Sequence, residues 1–320
     1  MENQPPIFGR KIYFINPPYA IKTTLIDRLR ALEYEAYYIH DPRSAKAILE
    51  NNPDSICFIC IDSILPTNQW FNFIKSFELN ENLKSTIIGI LSKNIKTSDK
   101  NQFLLKTNIP GGFISLNDTF DKITDKIIQI CELNGAKGRR QYVRLNCTNY
   151  EGTFVHISKN GRLYPMRLID ISSVGFACML KSKDRNIFTE KEILKPIVIA
   201  LGLKTINVEA AVFALKDNPN YVTMVMLFMP STSSTTKDII RNYVFSILQG
   251  DLDMKIEITV KDNTDYSKDL TKETGNITDT FIYEEEITSE TSLNEVSDLE
   301  DAPEHEQTEQ SSDSKLHFMD

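Results

Sequence analysis

The sequence predicts two folded domains of different classes: an α/β doubly wound domain, then an antiparallel β-barrel with a closing C-terminal helix. Short apolar runs alternate with helical patterns up to residue 133, which is typical of βα units built around a parallel sheet. From residue 142 to about 229, short strands follow one another with turns between them. Residues 265–320 are rich in Thr, Ser, Glu and Asp, and this composition favours a disordered acidic tail.

The first domain, residues 10–133, contains five βα units. Its most apolar run, residues 55–61, is expected to be a central strand. The predicted strands are 11–15, 35–40, 55–61, 86–91 and 112–115, and the predicted helices are 21–32, 43–50, about 70–77, about 98–106 and 119–133.

The second domain, residues 141–250, reads as a small barrel closed at one mouth by a helix over 236–249. Ser234 or Thr235 can cap that helix, and Gly250 is expected to end it. An alternating pattern over 254–260 allows one extra strand within the tail, 251–320. The predicted barrel strands are 143–147, 153–158, 162–169, 175–180, 196–203, 206–213 and 221–229. An extension, 1–9, precedes the first domain, and a basic linker, 134–140, joins the two.

Charge divides the chain into two parts. Residues 251–320 carry 21 Asp and Glu against 5 Lys, which leaves a net charge of +8 on residues 1–250 out of the total of −8. A basic body fits an anionic ligand or partner. No run of 18 apolar residues and no signal peptide is present, and the five cysteines are irregularly spaced, so a reduced, cytoplasmic protein is expected.

Catalytic and metal-binding patterns are weak. Cys57 and Cys60 match C-x-x-C, but on a strand they would point to opposite faces. The four histidines have no ligand spacing, and no phosphate-binding loop or nucleophile elbow occurs. We therefore expect a sensor without catalytic residues, cofactor or metal rather than an enzyme.

Two short motifs supply the candidate binding groups. Arg140 and Arg144 are four residues apart in a non-helical segment, with Arg139 beside them, and Asp170-Ile171-Ser172-Ser173-Val174-Gly175 follows about one hairpin later. A guanidinium matches the O6 and N7 acceptors of guanine and also pairs with phosphate. The Asp170 carboxylate can accept the N–H donors of guanine. Gly175 permits a close approach that a Cβ would block.

Together with the barrel and closing helix, these motifs resemble the PilZ domain over about residues 138–250. That family binds cyclic di-GMP through R-x-x-x-R and [DN]-x-S-x-x-G segments. The resemblance implies that Arg140 and Arg144 hold the ligand while Asp170, Ser172 and Gly175 line the barrel, with Arg139 as an auxiliary contact. Ligand binding at the inter-domain linker would then change the domain arrangement and contact with a protein partner, in motility or adhesion signalling.

The first domain resembles a degenerate receiver domain of bacterial response regulators. Asp62-Ser63-Ile64-Leu65-Pro66 fits the D-x-x-x-P pattern after strand three, and Ser92 ends strand four. Asn16-Pro17-Pro18 replaces the expected acidic pair, and the expected lysine is absent after strand five. With one carboxylate left the Mg²⁺ site is poor, so a protein-interaction role is favoured over phosphorylation of Asp62.

The sequence leaves three alternatives to a cyclic di-GMP receptor open. The chain could be an adaptor that has the motifs but binds no nucleotide, or a regulator controlled by phosphorylation of Asp62. A small barrel with a basic arm could also bind single-stranded nucleic acid, although nucleic acid is not the expected partner.

Overall fold

The N-terminal half forms a five-stranded parallel sheet with helices on both faces, in a computed structural model that describes residues 8–262. The strand order β2-β1-β3-β4-β5 is common among doubly wound sheets, so the predicted fold class is confirmed. The strands are β1 Ile12–Ile15, β2 Ala36–Ile39, β3 Ile56–Cys60, β4 Ile87–Ser92 and β5 Gly112–Ser115. The helices are a π-helical segment, Ile21–Ile26, that continues as α1 Asp27–Ala31, then α2 Pro42–Glu50, α3 Thr67–Leu79, α4 Thr97–Lys106 and α5 Phe120–Leu133.

Strand β3 is buried along its whole length, as expected of a central strand. Cys57 packs on one face of the sheet with Trp70, whereas Cys60 packs on the other face with Phe14. The two thiols therefore belong to different cores, as predicted. All five cysteines are buried and free.

The second half forms a barrel that six antiparallel strands close in the order β8-β7-β10-β11-β12-β9 and back to β8. This confirms the predicted antiparallel barrel. A short seventh strand, β6, pairs with β8. The strands are β6 Leu145–Asn146, β7 Thr153–Lys159, β8 Arg162–Ser172, β9 Gly175–Lys181, β10 Ile193–Leu201, β11 Lys204–Asp217 and β12 Tyr221–Phe228, with a 3-10 segment at Ser182–Ile187.

Helix α6, Ser234–Asp262, is much longer than predicted. The expectation that Gly250 ends it was wrong, and residues 254–260 are helical rather than an extra strand. Its first turns pack Ile240 and Val244 into the barrel core, and its later turns pack Leu252 into the core of the parallel sheet. The helix continues past Gly250 because its apolar side chains beyond that residue, such as Leu252, pack against the parallel-sheet domain. The predicted disorder of 265–320 lies outside the described residues.

Among residues 8–262, no helix combines the length and apolar character needed to cross a membrane.

Candidate ligand site at the domain junction

Asp170 reaches the outside of the barrel because β8 is irregular just before it. Tyr164, Met166 and Leu168 point inward, so strict alternation would also bury Asp170. The register against β9 shifts between Leu168 and Asp170, which places Ile171 in the core and leaves Asp170 half-buried at the surface. Such irregularities re-aim side chains at functional edges of sheets.

Arg144 and Asp170 come together as the motifs predict. The Arg144 Nη1 lies 3.8 Å from the Asp170 Oδ1, and β6 holds the two segments side by side by pairing Asn146 with Asp170. Burial raises the pKa of Asp170, and the positive charges of Arg144 and Arg140 oppose that shift. Both arginines of the motif therefore act on the same carboxylate.

Arg140 and Arg139 lie on the exposed side of the same segment. The Arg140 guanidinium lies 4.7 Å from the centre of the Phe8 ring. A guanidinium stacked on an aromatic face keeps its N–H donors directed sideways, where an acceptor of a ligand can reach them.

Ser172 and Gly175 serve the barrel itself in this arrangement. The Ser172 side chain is buried, and its hydroxyl donates to the Gly175 carbonyl at 3.1 Å across the hairpin turn. A Cβ on Gly175 would lie 2.2 Å from the carbonyl oxygen of Met226, so glycine is required for the close pairing of β9 with β12. The predicted close approach is thus made by strand β12.

Glu33 is a residue of the candidate site that the sequence did not reveal. It follows α1, yet its side chain reaches both motifs and is only 10% exposed. Its carboxylate accepts hydrogen bonds from the Ser173 hydroxyl at 2.6 Å, the Arg241 Nε at 3.1 Å and the Val143 N–H at 3.2 Å. Its backbone has a φ of 63°, a left-handed conformation that costs a residue other than glycine roughly 1–2 kcal/mol.

The space between these groups is small. A cavity of about 70 Å³ lies at the junction, lined by Glu33, Glu35, Arg140, Tyr142 and Arg144 among others. Ligand pockets ordinarily enclose about 300–1,000 Å³, so a dinucleotide needs more room than this arrangement provides. Separation of the Glu33 loop from the arginine segment would enlarge the cavity, because both line it.

Asp62 at the edge of the parallel sheet is already engaged by its own neighbours. Its carboxylate accepts hydrogen bonds from the Ser92 hydroxyl, the Lys93 N–H at 2.7 Å and the Asn94 N–H at 3.3 Å. On its other side Asn16 donates to the Cys60 carbonyl at 2.9 Å, where a second carboxylate would be needed for Mg²⁺. Within residues 8–262 no group of three or more His, Cys, Asp or Glu side chains is arranged to hold a metal ion.

Comparison with known proteins gives only structural matches. No family model and no curated protein matches the chain. The PilZ domain of YcgR from Escherichia coli with c-di-GMP aligns over 37% of this chain and 97% of that chain, at 17% identity and a TM-score of 0.33. Bacillus subtilis MotI/DgrA, an inhibitor of motility, aligns over 35% and 52%, at 20% identity and 0.30. The K. pneumonia MrkH–c-di-GMP complex aligns over 38% and 55%, at 23% identity and 0.29.

The present chain thus spans about half the length of the MotI and MrkH chains. Identities and TM-scores this low assign no function, so the function has to be inferred from the residues of the site.

Proposed function

We propose that this chain is a cyclic di-GMP-binding effector. In this proposal the nucleotide binds where the linker meets the barrel, changes the arrangement of the two domains and thereby controls binding of a protein partner. The signalling output would be motility or adhesion. The observation that carries the proposal is the pairing of Arg144 with Asp170 at one edge of the barrel, with Arg140 near enough for its charge to act on the same carboxylate.

The chemistry of the three side chains matches the parts of the ligand. Two guanidinium groups can pair with phosphate oxygens or with the O6 and N7 edge of guanine. The Asp170 carboxylate, which lies beside Arg144, can accept N–H donors from the opposite edge of a base. Arg139 adds a further positive charge on the same exposed segment. Ser172 and Gly175, which the resemblance also assigns to the ligand, would contribute mainly by fixing the turn that presents Asp170.

Titration calorimetry of the full chain with cyclic di-GMP tests this proposal. Replacing Arg144 with alanine (Arg144→Ala) should weaken binding about 10- to 100-fold, because a charge-assisted hydrogen bond contributes about 1.5–3 kcal/mol. The matched control is Arg185→Ala, because Arg185 pairs with Asp217 beyond the far end of β9 and lies outside the site. Equal affinities for both variants would contradict the proposal.

Acidification should weaken binding through Asp170. Because burial raises its folded-state pKa, Asp170 takes up a proton at a higher pH than an ordinary aspartate. The protonated form loses its negative charge, and one of its two acceptor oxygens becomes an O–H donor. The affinity should therefore fall as the pH drops through that raised pKa. In Asp170→Asn, affinity measured over the same acidic range should change little with pH. An identical pH profile for both proteins would assign the titration to another group.

The adaptor alternative is favoured by one observation, the engagement of Ser172 and Gly175 within the barrel. It predicts no heat with cyclic di-GMP from an intact chain. A salt-steep interaction with oligonucleotides of any sequence would instead favour nucleic-acid binding. The geometry around Asp62 disfavours phosphorylation, since its carboxylate oxygens already accept three hydrogen bonds.

A further inference from the structure

The three donors around Glu33 form an anion-binding site of their own. The Ser173 hydroxyl belongs to the acidic motif, the Val143 N–H lies between the two arginines, and Arg241 comes from helix α6. All three converge on one carboxylate, and Arg241 is itself only 15% exposed. A hydroxyl, a backbone N–H and a guanidinium are also the groups that proteins use to bind phosphate oxygens.

Glu33 is held in this site against its own backbone preference. It follows the last turn of α1, and its N–H donates to the Arg30 carbonyl at 3.0 Å. Its positive φ belongs to a position where glycine or asparagine is usual. Local strain in a residue other than glycine is characteristic of sites where the side chain has a function.

We propose that Ser173, Arg241 and the Val143 N–H bind a phosphate of the nucleotide, and that Glu33 occupies this site as an internal competitor. The proposal deepens the proposed function and rests on it. Glu33 belongs to the parallel-sheet domain, whereas its three partners belong to the barrel, its preceding segment and α6. A phosphate that displaces the Glu33 carboxylate therefore removes one connection between the domains.

The size of the junction cavity supports this order of events. About 70 Å³ accommodates a water molecule or two but no nucleotide, and Glu33 forms one of its walls. Departure of Glu33 would enlarge the cavity beside Arg140 and Arg144, which also line it. The same movement would expose Ser173, Arg241 and the Val143 N–H and enlarge the space available to the ligand.

The test uses the full chain, cyclic di-GMP calorimetry and small-angle X-ray scattering with and without nucleotide. Glu33→Gln retains the strained backbone position and most of the side-chain volume but removes the charge. It should bind at least about tenfold more tightly than the unmodified chain, and its scattering profile without nucleotide should shift toward the nucleotide-bound profile. The matched control is Glu35→Gln, because Glu35 lines the same cavity but bonds to Tyr37 and Lys11 instead.

Arg241→Ala tests whether Arg241 contacts the nucleotide or only pairs with Glu33. It should bind at least about tenfold more weakly than Glu33→Gln, because it loses the phosphate contact together with the competitor's partner. Equal tightening in Glu33→Gln and Arg241→Ala would overturn the phosphate site, and unchanged affinity in Glu33→Gln would overturn the competitor. If no form binds nucleotide while folding is intact, the proposed function fails. An unchanged scattering profile of Glu33→Gln would then also reject Glu33 as a connection between the domains.

Discussion

Gly175→Ala is expected to destabilise the barrel by about 3 kcal/mol, a large effect for one methyl group. The added Cβ would lie 2.2 Å from the Met226 carbonyl oxygen and 3.2 Å from the Leu227 Cα, so the backbone of β9 or β12 must move. These two strands pair along their length, and a shift at one end strains the pairing that closes the barrel. Urea unfolding should show a lower midpoint with little change in slope.

Gly250→Ala is the control for this substitution, and the sign of its effect is opposite. Gly250 lies inside α6, and apart from the adjacent helix backbone no atom lies within 4 Å of an added Cβ, so alanine should stabilise the helix by about 0.5–1 kcal/mol. A Gly175→Ala protein as stable as the parent but unable to bind nucleotide would show that the glycine serves the ligand directly. If Gly175→Ala instead lost both stability and nucleotide binding, the role of the glycine in strand pairing would explain both effects.

The fold was largely predictable because apolar periodicity dominates both halves. The run at β3 is apolar throughout, and a strand buried on both faces requires that composition. The first barrel strand was overpredicted, since 143–147 reduces to Leu145–Asn146. The reason is local: the Val143 N–H donates to the Glu33 carboxylate and not to a neighbouring strand.

The end of α6 is not determined by its local sequence. Gly250 resembles a helix terminus, and residues 254–260 alternate as a strand would. The spacing of Leu248, Leu252 and Ile256 is helical, and all three pack against the core of the parallel sheet. The parallel-sheet core against which these residues pack decides between a helix and a strand over residues 254–260, and no local sequence pattern reveals that core.

The site was predictable in part. Arg144 and Asp170 were brought together as strand pairing required, because the two motifs lie on neighbouring segments of one sheet. Glu33 and Arg241 could not be found, since each is separated from the motifs by more than 60 residues and neither belongs to a motif. Ser173 lay within the acidic motif, but nothing in the sequence distinguished its role from that of Ser172.

The largest effect is expected from Gln249→Leu, which should weaken the docking of α6 on the parallel sheet by roughly 3–5 kcal/mol. Gln249 is 5% exposed, and β2 is an edge strand of the parallel sheet. The Gln249 amide forms hydrogen bonds with the backbone of β2, as a neighbouring strand would. Its Nε2 donates to the Tyr38 carbonyl at 3.0 Å, and its Oε1 accepts from the Tyr38 N–H at 3.2 Å and from Arg30 Nη2 at 3.1 Å. Leucine fills a similar volume but leaves the Tyr38 N–H and carbonyl without these hydrogen bonds and removes one of the two that the Arg30 side chain donates, the other being to the Ala36 carbonyl.

Hydrogen exchange and calorimetry should both register that loss. The Tyr38 N–H should exchange much faster in Gln249→Leu, and the thermal transition should separate into one for the barrel and one for the parallel-sheet domain. Ser246→Ala is the control on the same helix, because its exposed hydroxyl bonds only to the Tyr243 carbonyl within α6. If Tyr38 stays protected in Gln249→Leu, then packing around Leu252 suffices to dock the helix. Under the proposed function, the connection that nucleotide binding would have to overcome would in that case be apolar rather than a set of exchangeable hydrogen bonds.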